Sequence, residues 1–235
     1  MHIRLTVRPT YAGLSAAKRS IIRDIAQRHN VDVICLQETH VDADCAGRFS
    51  VSGFDLISYA LHAKHGCSLC KRNDLITVSQ QLSTSHSDVV KTGGYNVANV
   101  YKPLTEPWED TNPLPSLPHP AVYVWDFNSH HPDWGYDTPN NHGDTLLEWA
   151  SCSDLDLLHD PKQRSTFRSA RWERDFSSDF CWVSSSGGRP VADKCGSEAT
   201  IGGLHATFTP HETKLTSTDL KPSLRQLLRR LWRRL

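Results

Sequence analysis

A short apolar run, Val31-Asp-Val-Ile-Cys-Leu36, decides more about this chain than any other segment. Its length suits a buried strand and is far too short to span a membrane. Ahead of it, residues 2 to 8 alternate polar and apolar side chains, the period of a half-buried strand that Pro9 should end. Between the two, Ser15 is placed to cap a helix running to about His29, with Leu14, Ile21, Ile22 and Ile25 along one face. Strand, helix and strand within the first 36 residues suggest a βαβ-like opening, which argues against an all-α or an all-β chain.

Further strands are expected at Phe54–Tyr59, Leu75–Val78, Asn96–Tyr101, Ala121–Val124, Leu155–Leu158 and Phe180–Val183, with a short helix at Asp144–Ala150. Six prolines between residues 103 and 120 make Lys102–Pro120 an internal loop. From Ser184 onward the apolar pattern weakens. The expected division is therefore a main domain over 1–190 and a divergent segment over 191–235. That segment ends in a basic amphipathic helix, with Leu224, Leu227, Leu228, Leu231 and Leu235 on one face and arginines on the other. It reads as a solvated basic end, a nucleic-acid arm or a membrane-surface helix.

The formal net charge of zero conceals an asymmetry. Seven basic residues and one acid lie from Lys214 onward, leaving 19 basic and 25 acidic residues before it. A body this acidic is not drawn to a polyanion by bulk charge, so handling nucleic acid would need a divalent cation, local arginines or the tail. The first residues lack the long apolar stretch of a secretory signal, and no run approaches a membrane span, so an intracellular protein is expected. The seven cysteines then read as free thiols. Cys67-Ser-Leu-Cys70 has the spacing of a zinc or redox pair, but no second pair follows, and plain thiols are the better reading.

Three clusters stand at expected strand ends, the usual place for function in α/β sheets. Gln37-Glu38-Thr39 puts a carboxylate, a hard oxygen ligand suited to magnesium, behind the apolar run. Asp126-Phe-Asn128 carries two polar groups two residues apart, which on extended backbone point the same way; an Asx turn is the plain alternative. Ser178-Asp179 places an acid before an apolar strand, and Tyr101 puts a phenol at the end of another.

In order and rough spacing, Gly13-Leu14, Leu36-Gln-Glu-Thr39, Val100-Tyr-Lys-Pro103, Asp126-Phe-Asn128 and Ser178-Asp179 resemble the endonuclease/exonuclease/phosphatase superfamily over about residues 2 to 186. The stretch Asp126-Phe-Asn-Ser-His-His-Pro-Asp-Trp-Gly135 resembles, more narrowly, the apurinic/apyrimidinic-like endonuclease domain of non-LTR retrotransposon polyproteins. The resemblance implies an α/β two-sheet sandwich flanked by helices in four layers. It also implies a DNA-nicking phosphodiesterase that uses magnesium or manganese, works on DNA and is nuclear when functional. Carried over, Glu38 would hold the metal and Tyr101 would bond the scissile phosphate. Asp126 and Asn128 would align the attacking water and stabilise charge, while Asp179 would support catalysis or help hold metal.

The chain departs from the family pattern in four places. The family's Asn-x-Asn/Asp before Gly-Leu reads Thr10-Tyr11-Ala12, and the small residue before the central Asp is Trp125, which should crowd the strand tip. The closing Ser-Asp/Gln-His triplet is missing after Asp179, and the closing strand pattern is not seen beyond about Val191. An atypical or incomplete C-terminal part, a shifted reading frame near Val191 and weak or lost activity are therefore expected. The alternatives are a non-catalytic nucleic-acid- or partner-binding remnant, and a phosphatase of small phosphoesters, against which the His130-His131-Pro-Asp-Trp signature argues.

Overall fold

Strands whose side chains are apolar on both sides must be covered on both sides, and here that produces four layers: helix, sheet, sheet, helix. The computed structural model describes residues 3–9, 15–40, 50–60, 65–75, 79–83, 87–92, 94–103, 108, 114–126, 128–134, 136–158, 167–169, 174–176, 179–184, 191–194 and 204–208. In chain order the first strands are β1 (Ile3–Pro9), β2 (Val33–Gln37), β3 (Phe54–Ala60), β4 (Cys67–Arg72), β5 (Ser79–Ser83), β6 (Ser87–Thr92), β7 (Tyr95–Tyr101) and β8 (Ala121–Asp126). They are followed by β9 (Leu155–Leu157), β10 (Phe167–Ser169), β11 (Arg174–Phe176), β12 (Asp179–Ser184), β13 (Val191–Lys194) and β14 (Leu204–Phe208). Helix α1 (Ala16–Arg28) joins β1 to β2, and α2 (Asn141–Cys152) precedes β9.

One sheet has the order β13-β14-β1-β2-β4-β3, the other β5-β6-β7-β8-β12-β9, and β10-β11 form a separate hairpin. Each large sheet holds one parallel pair at its centre, β1 with β2 and β7 with β8. Period-two alternation then sorts the side chains. Val33 and Cys35 of β2, Val97 of β7, Val122 and Val124 of β8 and Val183 of β12 meet between the sheets. The opposite faces are covered from outside: Ile34 and Leu36 by Ile22 and Ala26 of α1, Ala98 and Tyr123 by Leu146, Trp149 and Ala150 of α2. Ser15 caps α1 as expected, its side chain accepting from Lys18 N, but Ile21 lies 43% exposed, off the buried face.

Several elements differ from the sequence expectation. β1 runs through Pro9. The strand expected at Leu75–Val78 is not found at Leu75, which follows a turn; residues 76–78 lie outside the described residues. In its neighbourhood stand β4, β5 and β6, whose many Ser, Gln, Lys and Cys residues hide the strand pattern. Helix α2 begins three residues earlier than expected because Asn140, and not a later residue, caps it. Beyond Val191 two strands are present: β14 pairs antiparallel with β1, and β13 with β14. The missing closing-strand pattern is corrected by this pairing, in which Leu204-His-Ala-Thr-Phe208 completes the hydrogen-bonding edge of β1. Residues 209–235, with the expected basic helix, lie outside the described residues.

The cysteine reading holds for the described thiols. Cys67 and Cys70, an odd number of residues apart on β4, belong to different clusters, Cys67 with Ala60 and Tyr101, Cys70 with the α1 side. A pair on opposite faces of a strand cannot share a metal. Burial pushes both thiols up, Cys70 to about 12, so neither offers a ready thiolate.

Candidate active site

β2 and β7 belong to different sheets yet run side by side. The Asn99 amide donates to Leu36 O at 3.0 Å, the Gln37 amide to Val100 O at 3.2 Å, and Tyr101 Oη to Glu38 Oε1 at 2.6 Å. Each of these bonds joins residues 63 apart in sequence, so the two strands advance in the same direction and in step. Asn99 also donates to Ser68 O of β4 at 3.1 Å. These amides are buried and bonded to carbonyls of the neighbouring layer, which pins the sheets together where the strands end.

Glu38 leaves β2 on left-handed backbone, with φ of 52°, and His40 does the same at 51°. Asn30 and Asp154, also left-handed, follow the two helices, where Asn and Asp commonly terminate a helix. Glu38 has no such role. A glutamate in this region costs roughly 1–3 kcal/mol and persists where the surroundings hold it. Here Thr39 N donates to Gly66 O and His40 N to His65 O, continuing the ladder past the strand. The result turns the Glu38 carboxylate toward the second sheet, where the Tyr101 hydroxyl meets it. The His65 ring stacks over Tyr101 at 5.2 Å between centroids.

Backbone register brings in the remaining candidates. Tyr101 lies opposite Asp126 in the parallel β7–β8 pair, and Asp126 opposite Asp179 in the antiparallel β8–β12 pair. Two residues beyond β8, Asn128 takes φ of 46° and its amide donates to Lys102 O at 2.9 Å. All five candidates, Glu38, Tyr101, Asp126, Asn128 and Asp179, therefore stand at one end of the sandwich, on four adjacent strand tips. The expected crowding at Trp125 does not break the ladder, which continues through that residue to Val100 on one side and Phe180 on the other. Thr10 and Ala12 lie outside the described residues; β1 ends at Pro9, opposite Gln37.

Some groups at this end were not expected. Lys102 is buried, its Nζ donating to Pro103 O at 3.1 Å and lying 5.3 Å over the Trp108 ring. It places a fixed positive charge beside the tip, and with burial it holds His142 below the usual imidazole range, burial being the larger cause. His130 and His131 pack within their turn: His130 stacks on Tyr136 at 4.2 Å, and His131 Nδ1 accepts from Asp133 N at 3.0 Å. Polar residues inside an otherwise apolar strand, as in Tyr95-Asn-Val-Ala-Asn-Val-Tyr101, were the available signal for the amide struts.

Residues 95–198 match the family model described as endonuclease-reverse transcriptase. The endonuclease domain of TRAS1, a telomere-specific non-LTR retrotransposon, superposes with a TM-score of 0.66 at 16% identity, covering 88% of this chain and 98% of that one. The fold is that of the endonuclease/exonuclease/phosphatase superfamily. Other solved members of this fold superpose as well. An AP endonuclease from Leishmania major gives a TM-score of 0.68 at 12% identity, covering 89% of this chain and 88% of its own. A 3′ phosphatase from Neisseria bound to product DNA hairpin gives 0.59 at 16% identity, covering 88% and 99%. No curated protein matches the chain by sequence. Superfamily folds of this kind therefore include nucleases, AP endonucleases and phosphatases, and the endonuclease-reverse transcriptase match covers the strands that carry Tyr101, Asp126 and Asp179.

A divalent cation would meet one hard oxygen donor fixed at this tip, the Glu38 carboxylate. Glu38 is a hard oxygen donor with about four lone-pair sites, of which the Tyr101 hydroxyl uses one. Magnesium commonly takes one or two carboxylates and fills its remaining positions with water and substrate phosphate, so this carboxylate fits it. The thiol nearest the tip, Cys67, packs with Tyr101, and burial pushes it up, so it offers no ready thiolate to a softer metal.

Proposed function

We propose that the chain is an endonuclease domain of the non-LTR retrotransposon type, hydrolysing phosphodiester bonds in DNA at this end of the sandwich. The observation that carries the reading is the 2.6 Å bond from Tyr101 to Glu38 between the sheets, in register with Asp126 and Asp179. A magnesium or manganese ion held by Glu38, with Asp179 as a second ligand, would polarise a phosphoryl oxygen and offset its charge. Tyr101 donates its one proton to Glu38 and so orients that carboxylate, and bound substrate would turn the same O–H to the scissile phosphate. Asp126 takes the position from which a carboxylate can align and deprotonate the attacking water, and Asn128 faces the developing charge with an amide already fixed by Lys102 O. Asp179, next to Asp126 in the ladder, supports that group.

Turnover is slow in this reading. Thr10 and Ala12 replace amide- or carboxylate-bearing residues, and no Ser-Asp/Gln-His triplet follows Asp179. Loss of a general base alone lowers a rate by roughly 10²- to 10⁴-fold. The same departures favour, as a second reading, a remnant that binds DNA or a partner without cutting. The proposed setting is intracellular, and nuclear if the domain is functional.

Nicking of supercoiled plasmid with and without magnesium tests the proposal. Slow, magnesium-dependent nicking that disappears in Asp126→Ala is the expected result. Plasmid left intact by the wild type in both magnesium and manganese would favour the non-catalytic reading, and nicking that survives in Asp126→Ala would move the chemistry elsewhere.

A further inference from the structure

We propose that Asn140, together with Gly143, is a positioning device for the active-site tip, latching the segment that carries Asn128 to the start of α2. This rests on the nuclease reading for its effect on rate, though not for its geometry. Asn140 is the N-cap of α2, and its Oδ1 accepts from Gly143 N at 2.8 Å, as a capping side chain does. The same oxygen accepts a second bond, from His130 N at 3.0 Å, and Asn140 N donates in return to His130 O at 3.0 Å. A carbonyl oxygen has two lone pairs, so both bonds to Oδ1 are satisfied at once. The peptide group of His130 is thereby held from both sides by one residue.

Gly143 makes room for this. A Cβ on Gly143 would stand 1.9 Å from His130 O and 2.6 Å from His130 C, a backbone group that cannot swing aside as a flexible side chain can. The helix thus uses a poor helix former in its first turn so that the loop can press against it. At the other end of the segment, the Asn128 amide is bonded to Lys102 O, next to Tyr101. Between them Ser129 is buried and its carbonyl accepts from Trp134 Nε1 at 3.3 Å. The left-handed Asn128 is accordingly held by bonds on both sides, and those on its C-terminal side converge on Asn140.

The consequence for chemistry follows from how sharply rate depends on placement. A displacement of about 1 Å at a reacting group can cost roughly 10²-fold. Asn140→Ala removes the shared acceptor, and Gly143→Ala expels the His130 carbonyl while leaving the cap in place. Asn140→Asp retains an acceptor for both N–H groups and suits a helix N-terminus.

The experiment measures kcat and KM for plasmid nicking, with amide hydrogen exchange at His130 and at the Asn128 side chain. Asn140→Ala and Gly143→Ala should each lower kcat about tenfold to hundredfold with KM within about twofold. Asn140→Asp should restore most of the loss. Asp32→Ala, which breaks the 2.9 Å pair with Arg72 at the far end of β2, serves as a destabilised control with kcat unchanged. Exchange at both amides should quicken in Asn140→Ala and not in Asp32→Ala. A kcat within twofold of wild type in both latch variants, or an equal loss in Asp32→Ala, overturns the proposal. If the wild type cuts nothing, the nuclease reading fails on its own and exchange decides the latch: unaltered protection in Asn140→Ala refutes it.

Discussion

The space between the two sheets changes character from one end to the other. Where β2, β7 and β8 begin, it is filled by Val33, Val97, Val122 and Val183, with Leu69 from β4, all packed as hydrocarbon. Where the same strands end, it holds Gln37, Asn99, Glu38 and Tyr101, joined by directional bonds. The first end is specified by volume and apolar surface, which many side-chain combinations can supply. The second depends on particular atoms at particular places, because a buried polar group that loses its partner keeps its desolvation cost. Stability should reside mainly at the first end and the proposed chemistry at the second, so substitutions should separate the two properties.

The largest separation is expected from Leu69→Ala. Its side chain is fully buried, and truncating such a leucine costs about 2–5 kcal/mol, a substantial part of a typical domain's stability. Denaturant unfolding should show that loss, while the nicking rate per folded molecule at low temperature stays within about twofold. An equal fall in both would mean that the two ends are not independent. Tyr101→Phe should do the reverse. Removing a hydroxyl bonded to a carboxylate is worth roughly 1.5–3 kcal/mol at the site, or about tenfold to a hundredfold in rate. Its melting temperature should fall less than that of Leu69→Ala, since the ring and its stacking with His65 remain. A variant as fast as wild type would remove Tyr101 from the site.

The smallest expected effect concerns acid. Burial holds His130 below the ordinary imidazole value of 6.5, and His142 is lowered by burial and by Lys102. The unfolded chain therefore binds protons on these residues before the folded one does. Stability is full above about pH 6.5 and declines as pH falls below it. Thermal unfolding between pH 7.5 and 5.5 should show the decline, and His130→Gln should flatten it slightly. A profile that steepens in the variant would assign the acid sensitivity to other groups.

The same contrast explains what could be read in advance. Apolar runs such as Val31–Leu36 and alternating segments such as residues 2 to 8 carry their strand signal locally, and α1 carries its cap in Ser15. The strand-end positions of Glu38, Tyr101, Asp126 and Asp179 were legible because each terminates or begins an apolar run. The struts were not, since Asn99 and Leu36 or Gln37 and Val100 are 63 residues apart and nothing local marks them as partners. β5 and β6 were not expected, for a related reason. Their Ser and Gln residues are tolerated because pairing, of β5 with β6 and of β6 with β7, supplies the order that propensity does not. β14 was missed because its value as a strand comes from the open edge of β1, about two hundred residues earlier. Asn140 was equally hidden: an asparagine ahead of a helix reads as a cap, and its second bond to His130 depends on a turn ten residues back.

The claim that these tips form a cation-and-phosphate pocket is tested most directly by melting the wild type and Glu38→Ala with and without magnesium. Magnesium should raise the melting temperature of the wild type and leave that of Glu38→Ala unmoved. A wild type indifferent to magnesium, or a Glu38→Ala protein stabilised to the same degree, would contradict a metal site at Glu38.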